Sequence, residues 1–261
     1  MLPDTELVCR TIKTRKPIII FPVADTHIGA EGQFEQEFMQ FIEMVKKTPN
    51  GYLIIAGDML DNGTKNSVSN VYRNRYMPAE AKRLLAKLLE PVADRILCGT
   101  CGNHEFRSLR EVDDDGLYDV FCKLNIEDRY RQNMVFLKVS VGEKDGSGVA
   151  NPTYCIVVTH GHGGGMTGAV VNRAEKYGLV LDGADMLVLG HSHKQFDTAP
   201  GKIQIDTRNN KVSVKPFRVV SVSSWLAYGG YAMRMMLPPS AMVRTKVILG
   251  ATKKEIEISN K

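Results

Sequence analysis

The stretch YLIIAGDMLD (residues 52–61) joins an apolar run directly to a polar cluster. The run YLIIA is rich in aliphatic side chains, which is typical of a strand that is buried on both faces. Gly57 follows the run and lets the chain turn closely before Asp58. The stretch therefore predicts a buried strand that presents carboxylates at its carboxyl end.

The same arrangement recurs four times along the chain. Apolar runs precede the polar clusters DTH (25–27), GNHE (102–105), HGHGGG (160–165) and GHSH (190–193). Stretches of helical period lie between several of the runs, at FEQEFMQFIEMVKK (34–47), PAEAKRLLAKLLEPV (78–92) and GLYDVFCKLN (116–125). Because ligand sites of open α/β sheets gather at the carboxyl ends of the strands, we expect the five clusters to meet.

Later regions alternate between apolar and polar residues, as strands of hairpins do. They are MVFLKVSVGEKDGSG (134–148), which leads to a strand at Tyr154, then GKIQIDTRNNKVSVKPF (201–217), and VRTKVILG (243–250) with KKEIEIS (253–259). Strand–helix alternation followed by antiparallel strands predicts an α/β fold with two packed sheets flanked by helices. The sequence contains no internal repeat and no linker, so we expect one domain over residues 1–261.

The composition is that of an ordinary soluble protein, with 43% hydrophobic and 24% charged residues. No apolar stretch approaches the ~18 residues of a membrane helix, so no membrane partner is expected. The start, MLPDTELVCR, lacks the apolar centre of a secretory signal. Five cysteines are an odd number, which favours reduced thiols and a cytoplasmic location. The net charge of +5 is compatible with a polyanionic substrate but does not by itself indicate nucleic-acid binding.

All six histidines fall inside the polar clusters at the strand ends: His27, His104, His160, His162, His191 and His193. A single histidine is usually structural, but six in such places, with aspartates and an asparagine beside them, indicate a metal site. In DTH and HSH, ligands two residues apart on an extended backbone point the same way. Mixed nitrogen and oxygen ligands suit Mn²⁺, Fe, Ni²⁺ or Zn²⁺.

The motifs D-x-H, G-D-x-x-D, G-N-H-E, H-G-H and G-H-S-H, in this order from Asp25 to His193, resemble those of the calcineurin-like metallophosphoesterase superfamily. Each motif alone is weak, whereas five in order are specific. The resemblance implies a four-layer αββα sandwich of two mixed β-sheets flanked by helices. It also implies two divalent cations, with Mn²⁺ foremost, and hydrolysis of a phosphoester by in-line attack of a hydroxide that bridges them.

The resemblance implies a role for each matching residue. The ligands of the first metal would be Asp25, His27 and His193. Those of the second would be Asn103, His160 and His191, and Asp58 would bridge both. His104 would protonate the leaving oxygen or stabilise charge there, and Asp61 would hold its imidazole in the useful tautomer. Capping of a following helix or turn is the alternative for Asp61.

The substrate class is less constrained by the motifs. Asn62 stands where the similar Ser/Thr phosphoprotein phosphatases carry a phosphate-binding arginine, so a bidentate clamp for a dianionic monoester is absent and a phosphodiester is favoured. The predicted substrate contacts are Asn62, Arg107 and His162. Arg110 is a further candidate for holding a phosphate, although both arginines could equally form exposed ion pairs.

Three functional hypotheses therefore stay open. The first is a phosphodiesterase, with a nucleotide or nucleic acid among its substrates. The second is a phosphomonoesterase or Ser/Thr protein phosphatase. The third is a non-catalytic scaffold of the same fold, which is disfavoured because the catalytic histidine is present.

Two further segments carry alternatives of their own. SSWLAYGGYAMRMMLPPSAM (223–242) contains the only tryptophan; packing in the core is favoured over stacking on a base or a contact within a homodimer. CGTC (98–101) lacks a second cysteine pair for zinc, so Cys98 and Cys101 are predicted to be small apolar residues at a strand end.

Overall fold

A computed structural model describes residues 5–67, 71–143, 150–163, 167–234 and 236–260. Its strands are β1 (Leu7–Ile12), β2 (Ile18–Val23), β3 (Gly51–Ala56), β4 (Ile96–Thr100), β5 (Tyr130–Arg131), β6 (Met134–Val141), β7 (Thr153–Thr159), β8 (Met186–Leu189), β9 (Phe196–Thr198), β10 (Gly201–Asp206), β11 (Lys211–Pro216), β12 (Arg218–Ser221), β13 (Thr245–Leu249) and β14 (Ile256–Asn260). The α-helices are α1 (Glu35–Lys47), α2 (Pro78–Leu89), α3 (Glu105–Val112), α4 (Gly116–Lys123), α5 (Thr167–Val180) and α6 (Gly230–Arg234).

The strands form two mixed sheets of six strands each within the described ranges. The first sheet has the order β1-β6-β7-β8-β12-β9, and the second has the order β14-β13-β2-β3-β4-β5. Strands β2, β3 and β4 run parallel to one another, as do β7, β8 and β12. The carboxyl ends of neighbouring strands therefore lie side by side in each sheet.

The two sheets pack face to face, and helices cover their outer faces. Within β3, Ile54 and Ala56 face the core between the sheets, whereas Leu53 and Ile55 face helices α1, α2 and α4. Ala174 of α5 packs on the other side of the first sheet. Both faces of β3 are buried, which explains its unbroken apolar sequence; each such aliphatic side chain contributes about 1.5–3 kcal/mol when fully buried. The predicted four-layer αββα sandwich is confirmed.

Most of the predicted elements are present. The three stretches of helical period form α1, α2 and α4, and the alternating regions form antiparallel β6–β7, β10–β11 and β13–β14. Residues 144–149 of the predicted Gly-rich turn lie outside the described residues. Among the described residues, strands β10 and β11 pair with each other and form a two-stranded ribbon that is not part of either large sheet. In the described part of the chain, no helix has both the length and the apolar character needed to cross a bilayer.

Seven of the named elements were not anticipated from the sequence: the strands β1, β5, β9 and β12 and the helices α3, α5 and α6. Strand β1 pairs in parallel with β6 at the edge of the first sheet. Helix α3 has the sequence EFRSLREV, and its buried side chains are Glu105 and Ser108. Because this helix buries polar groups, it lacks the apolar period by which helices are recognised.

Candidate metal centre

The backbone is left-handed at most of the predicted metal ligands. The φ angles are +54° at Asp25, +46° at His27, +52° at Asp58, +65° at His191 and +56° at His193. Side chains other than glycine rarely adopt this conformation, which is retained only where the surrounding structure enforces it, and such residues cluster at functional sites. The surrounding structure therefore holds these five residues at the strand ends in a backbone conformation that sets the direction of their side chains.

The loops after β2 and β3 continue side by side beyond the sheet. The backbone N–H groups of Asp25, His27 and Ile28 donate to the carbonyl oxygens of Gly57, Asp58 and Met59 at 2.9–3.1 Å. These hydrogen bonds extend the parallel pairing of the two strands. The DTH and GDMLD motifs are thereby held next to each other.

One group of predicted ligands consists of Asp25, His27 and His193. The Nε2 atoms of the two histidines lie 3.2 Å apart, and His193 Nε2 lies 3.4 Å from Asp25 Oδ1. The Asp25 carboxylate also accepts a hydrogen bond from the His191 N–H at 2.9 Å, which fixes its orientation. A cation bound at about 2.1 Å from each ligand brings neighbouring ligands about 3.0–3.5 Å apart, so this spacing suits one ion.

A second group consists of Asp58, Asn103, His160 and His191. His160 Nε2 lies 3.1 Å from Asp58 Oδ2 and 3.1 Å from Asn103 Oδ1, and His191 Nδ1 lies 2.7 Å from Asn103 Oδ1. The other ring nitrogen of His160, Nδ1, is 2.8 Å from the carbonyl oxygen of Ala56. Such a bond fixes the tautomer and directs Nε2 into the site.

Asp58 lies between the two groups. Its Oδ2 is 3.1 Å from His160 Nε2 and 4.0 Å from His27 Nε2, and its Oδ1 accepts a hydrogen bond from the His104 N–H at 2.7 Å. The buried imidazole and carboxylate donors suit divalent cations, and three overlapping sets of ligand atoms each fit within 4.8 Å. Asp25, His27 and His193 would hold one ion, and the second group would hold another.

Burial and charge act against each other in this centre. Burial raises the pKa of Asp58, but the neighbouring His160 and His104 outweigh it and the net pKa lies well below the usual value. Burial lowers the pKa of His160, but Asp58 outweighs it and raises the pKa to about 10. The pKa of His27 lies well below its usual value because of burial and the nearby His104. Asp58 is accordingly a carboxylate, and His27 is a neutral imidazole that can offer the electron pair of one ring nitrogen to a cation.

His104 lies beside the second group with its ring held by the Asp61 segment. His104 Nδ1 is 2.8 Å from the Asp61 carbonyl oxygen and 3.4 Å from Asp61 Oδ1. Burial lowers the pKa of His104, but Asp58 and Asp61 raise it above the usual value overall. The Asp61 carboxylate accepts a hydrogen bond from Asn74 Nδ2 at 2.7 Å. Asn74 was not among the residues predicted for the site from the sequence.

The predicted substrate contacts are placed in different ways. The Arg107 guanidinium is 3.0 Å from His104 Nε2 and donates to Ser67 Oγ at 3.2 Å. The buried Asn62 amide donates to the His104 carbonyl oxygen at 3.0 Å and to Ser108 Oγ at 2.8 Å. Arg107 therefore lies next to His104, whereas the Asn62 amide is bonded to the start of α3.

His162 and Arg110 are both exposed. The His162 ring stacks at 6.4 Å from the His191 ring and belongs to neither ligand group. Gly163 has a φ of +86° and contacts Arg173, while Gly164 and Gly165 lie outside the described residues. Substrate contact by His162 stays a prediction.

Sequence reasoning assigned no role to Glu105, although it is part of the GNHE motif. Its side chain is fully buried and accepts hydrogen bonds from three backbone N–H groups, those of Asp58, Leu60 and Gly102. Burial and the nearby Asp58 raise the pKa of Glu105 to about 7. The sequence did contain one signal for Glu105, because this residue directly follows the candidate site residues Asn103 and His104.

Trp225 packs in the core rather than on the rim. It is buried, and its ring lies 5.3 Å from that of Phe38 and 5.1 Å from that of Phe41. The backbone N–H of Trp225 donates to the Asp25 carbonyl oxygen at 3.0 Å, so the segment also supports the loop that carries Asp25 and His27. Met235 lies outside the described residues. Cys98 and Cys101 are likewise buried in the apolar core, as predicted.

The chain matches the model of the calcineurin-like phosphoesterase family over residues 20–195. No curated protein matches it in sequence. Similar solved structures include a predicted phosphoesterase from Streptococcus pneumoniae TIGR4 (12% identity, 95% of this chain and 100% of that chain covered, TM-score 0.36) and the calcineurin-like phosphoesterase YfkN from Bacillus subtilis (14%, 95% and 91%, 0.44). A third is a metallophosphoesterase from Sphaerobacter thermophilus (10%, 94% and 88%, 0.40). Because the family match spans two thirds of the chain and includes every predicted metal ligand, the chain belongs to the calcineurin-like phosphoesterase family.

Proposed function

We propose that this metal-dependent phosphoesterase hydrolyses a phosphodiester and uses two divalent cations, with Mn²⁺ foremost and Fe, Ni²⁺ or Zn²⁺ as alternatives. The observation that carries the proposal is the convergence of two ligand groups on Asp58, with His104 beside them. When bound, the cations would polarise the phosphoryl oxygens and supply a nucleophile at neutral pH.

The protein's own groups supply the remaining chemistry. His104 Nε2 is 3.8 Å from Asp58 Oδ2, so it lies at the edge of the centre where a leaving oxygen would depart. Its raised pKa favours the protonated ring, which a general acid requires. Asp61 holds the opposite ring nitrogen, and we assign it a positioning role.

The preference for a diester rests on the surroundings of Asn62 and Arg107. One guanidinium, that of Arg107, lies beside His104 and can pair with a phosphate oxygen. The Asn62 amide is buried and bonded to α3, so it does not replace a second guanidinium. Within the described part of the chain, Arg107 is thus the guanidinium placed beside His104, and a single clamp of this kind suits a monoanionic diester better than a dianionic monoester.

Hydrolysis of model aryl phosphates tests this function. The metal-free protein, reloaded with Mn²⁺, is expected to hydrolyse bis-p-nitrophenyl phosphate faster than p-nitrophenyl phosphate. Asp58→Ala and His191→Ala should abolish the reaction because each removes a ligand, while Ser213→Ala on the exposed ribbon is the control and should retain the wild-type rate. Activity that survives chelation would contradict the metal requirement, and a faster monoester reaction would favour the phosphomonoesterase hypothesis.

Nucleic acid is one diester that the proposal includes, and the modest positive charge of the chain is compatible with it. Binding of a DNA oligonucleotide, followed by fluorescence anisotropy, should then weaken steeply as salt is raised, because phosphate contacts release counterions. A flat salt response would favour a small diester.

A cytoplasmic location stays our expectation from the unpaired cysteines.

A further inference from the structure

Glu105 is the first residue of α3, and its carboxylate is completely buried. Oε1 accepts a hydrogen bond from the Leu60 N–H at 2.9 Å. Oε2 accepts hydrogen bonds from the Asp58 N–H and from the Gly102 N–H, both at 3.0 Å. A buried carboxylate is tolerated where several donors satisfy it, and here three backbone donors do so.

These donors belong to two different loops of the metal centre. The loop after β3 carries Asp58, and the loop after β4 carries Asn103 and His104. Glu105 follows the second loop directly in the chain and bonds back to both loops. Asp58, in the loop after β3, bonds in turn to the loop after β4, because its Oδ1 accepts a hydrogen bond from the His104 N–H at 2.7 Å. The two loops are thus joined by a crossed pair of carboxylate–backbone hydrogen bonds.

The loops touch with no space between them at this point. A Cβ atom on Gly102 would lie 2.1 Å from Asp58 Oδ1 and 2.2 Å from the Asp58 backbone nitrogen, closer than atoms can approach. The hydrogen bonds of Glu105, together with the bond of Asp58 to the His104 N–H, therefore hold the two loops at this separation. That separation also fixes the distance between the Asp58 carboxylate and the Asn103 amide, two of the proposed ligands of one cation.

We propose that Glu105 is a positioning residue of the metal centre, whose carboxylate holds Asp58 and Asn103 at the spacing that one divalent cation requires. This inference rests on the proposed two-cation site. A glutamine at this position keeps the size of the side chain but turns an NH₂ group toward a backbone N–H. The loops would then separate or twist, and the cation would lose the fixed spacing of its ligands.

The decisive experiment measures Mn²⁺ binding to the metal-free full-length protein by calorimetry, for the wild type and for Glu105→Gln. The free energy of unfolding in urea and the EPR signal of the spin-coupled Mn²⁺ pair are recorded for the same samples. Glu105→Gln is expected to weaken binding of at least one Mn²⁺ by about 10–100-fold and to reduce the coupled signal. If Glu105 has a purely structural role, Glu105→Gln should lower the free energy of unfolding and leave the Mn²⁺ affinity and the coupled EPR signal unchanged.

Asp185→Asn is the matched control. Asp185 is a buried carboxylate at the start of β8, at the strand's other end from the centre, where it accepts the Cys155 N–H at 2.9 Å and pairs with Lys254 Nζ at 2.7 Å. Its replacement should destabilise the fold while Mn²⁺ binding stays at the wild-type value. If Glu105→Gln behaves as Asp185→Asn does, the proposal is overturned.

The remaining outcomes separate this inference from the proposed function. Wild-type protein that binds two Mn²⁺ ions but hydrolyses neither ester overturns the proposed function alone, and the binding comparison still decides the role of Glu105. Wild-type protein that binds none of Mn²⁺, Fe²⁺, Ni²⁺ and Zn²⁺ overturns both. Should Glu105→Gln fail to fold, Glu105→Asp replaces it in the experiment. Aspartate keeps the negative charge, but its side chain is one methylene shorter, so the carboxylate lies farther from the backbone N–H groups. Glu105→Asp is expected to weaken Mn²⁺ binding too, and an unchanged affinity would overturn the proposal.

Discussion

At the scale of single residues, Asp58 shows how many constraints one side chain of the centre satisfies. Its backbone is left-handed, its N–H donates to Glu105, and its carbonyl oxygen accepts the His27 N–H. One carboxylate oxygen accepts the His104 N–H, which leaves the other to face His160. Each polar group of the residue thus has a partner in the surrounding loops, which orients the carboxylate oxygen that faces His160.

His104 gives a prediction about rate. His104→Asn should lower kcat for bis-p-nitrophenyl phosphate by about 10²–10⁴-fold, the usual contribution of a general acid. Mn²⁺ affinity should stay near the wild-type value, because the ring belongs to neither proposed set of ligands. Steady-state kinetics with calorimetry would check both quantities. An unchanged kcat would contradict the role of His104 as the general acid.

The same histidine gives a prediction about pH. Since Asp58 and Asp61 raise the pKa of His104, the protonated ring persists to a higher pH than in a free histidine. A reaction that needs this proton should slow as the pH rises through the pKa of His104. Below that pKa the ring stays protonated, so His104 should not limit the rate there. The alkaline limb of the kcat profile should be absent in His104→Asn, and its persistence there would assign the limb to another group.

The cysteines give a prediction about reactivity. Burial raises the pKa of the Cys98 and Cys101 thiols far above the usual value, so neither forms a thiolate in the folded protein. Cys9 and Cys122 are exposed. Brief treatment with iodoacetamide should label Cys9 and Cys122 and spare Cys98 and Cys101, as read by mass spectrometry, whereas all should react in urea. Labelling of Cys98 in the native state would contradict the buried placement of the β4 end.

At the scale of elements, the centre depends on how closely the ends of β3 and β4 approach each other. Gly57 has a φ of +83°, and a Cβ on it would lie 2.7 Å from the Cα of Gly102. Two glycines thus face each other where a side chain on either would separate the strand-end loops. The contact is a property of the pair of strands, although each glycine is a local signal.

Gly102→Ala should therefore disrupt the centre. The added methyl group collides with the Asp58 backbone and carboxylate, so we expect a loss of Mn²⁺ binding together with a lower free energy of unfolding. Gly168→Ala in α5 is the control, because the described residues place no atom outside the adjoining helix backbone within 4 Å of the new Cβ, and alanine favours a helix. Calorimetry and urea unfolding would measure both variants. Wild-type Mn²⁺ affinity in Gly102→Ala would contradict the close approach of the loops.

At the scale of the whole molecule, the two sheets are tied together by more than apolar packing. Tyr154 of β7 is completely buried between the sheets, and its hydroxyl donates to the Gly250 carbonyl oxygen at 2.8 Å. The same hydroxyl accepts the Glu255 N–H at 3.1 Å. Gly250 and Glu255 lie in the turn between β13 and β14, so this side chain joins the first sheet to the second.

Tyr154→Phe should lower the free energy of unfolding by about 1–3 kcal/mol, the cost of leaving buried polar partners unsatisfied. Tyr228→Phe is the control, since its hydroxyl bonds to the Leu237 carbonyl oxygen on an exposed loop and its loss should cost less than about 0.5 kcal/mol. Urea unfolding followed by circular dichroism would measure the difference. Equal effects in the two variants would indicate that the buried hydroxyl does not stabilise the contact between sheets.

The sequence by itself determined that two packed sheets form and that polar clusters follow their strands, while the individual ligands were implied by the resemblance of its motifs to the family. Apolar runs that end in polar clusters are local patterns, and the carboxyl ends of neighbouring parallel strands must meet, so adjacency in space follows from order in the chain. Helices α1, α2 and α4 were predictable for the same reason, because each carries its apolar stripe within its own residues.

Only the tertiary structure decided what lies beneath the centre. Helix α3 buries Glu105 and Ser108, whose partners are the Asp58 N–H and the Asn62 amide, more than 40 residues away in the chain. Buried polar groups are stabilised by specific distant partners and leave no periodic pattern, which is why neither the helix nor the role of Glu105 could be predicted. Apolar burial depends on pattern and is legible in a sequence, whereas hydrogen-bond partnership depends on where the folded chain brings two groups together.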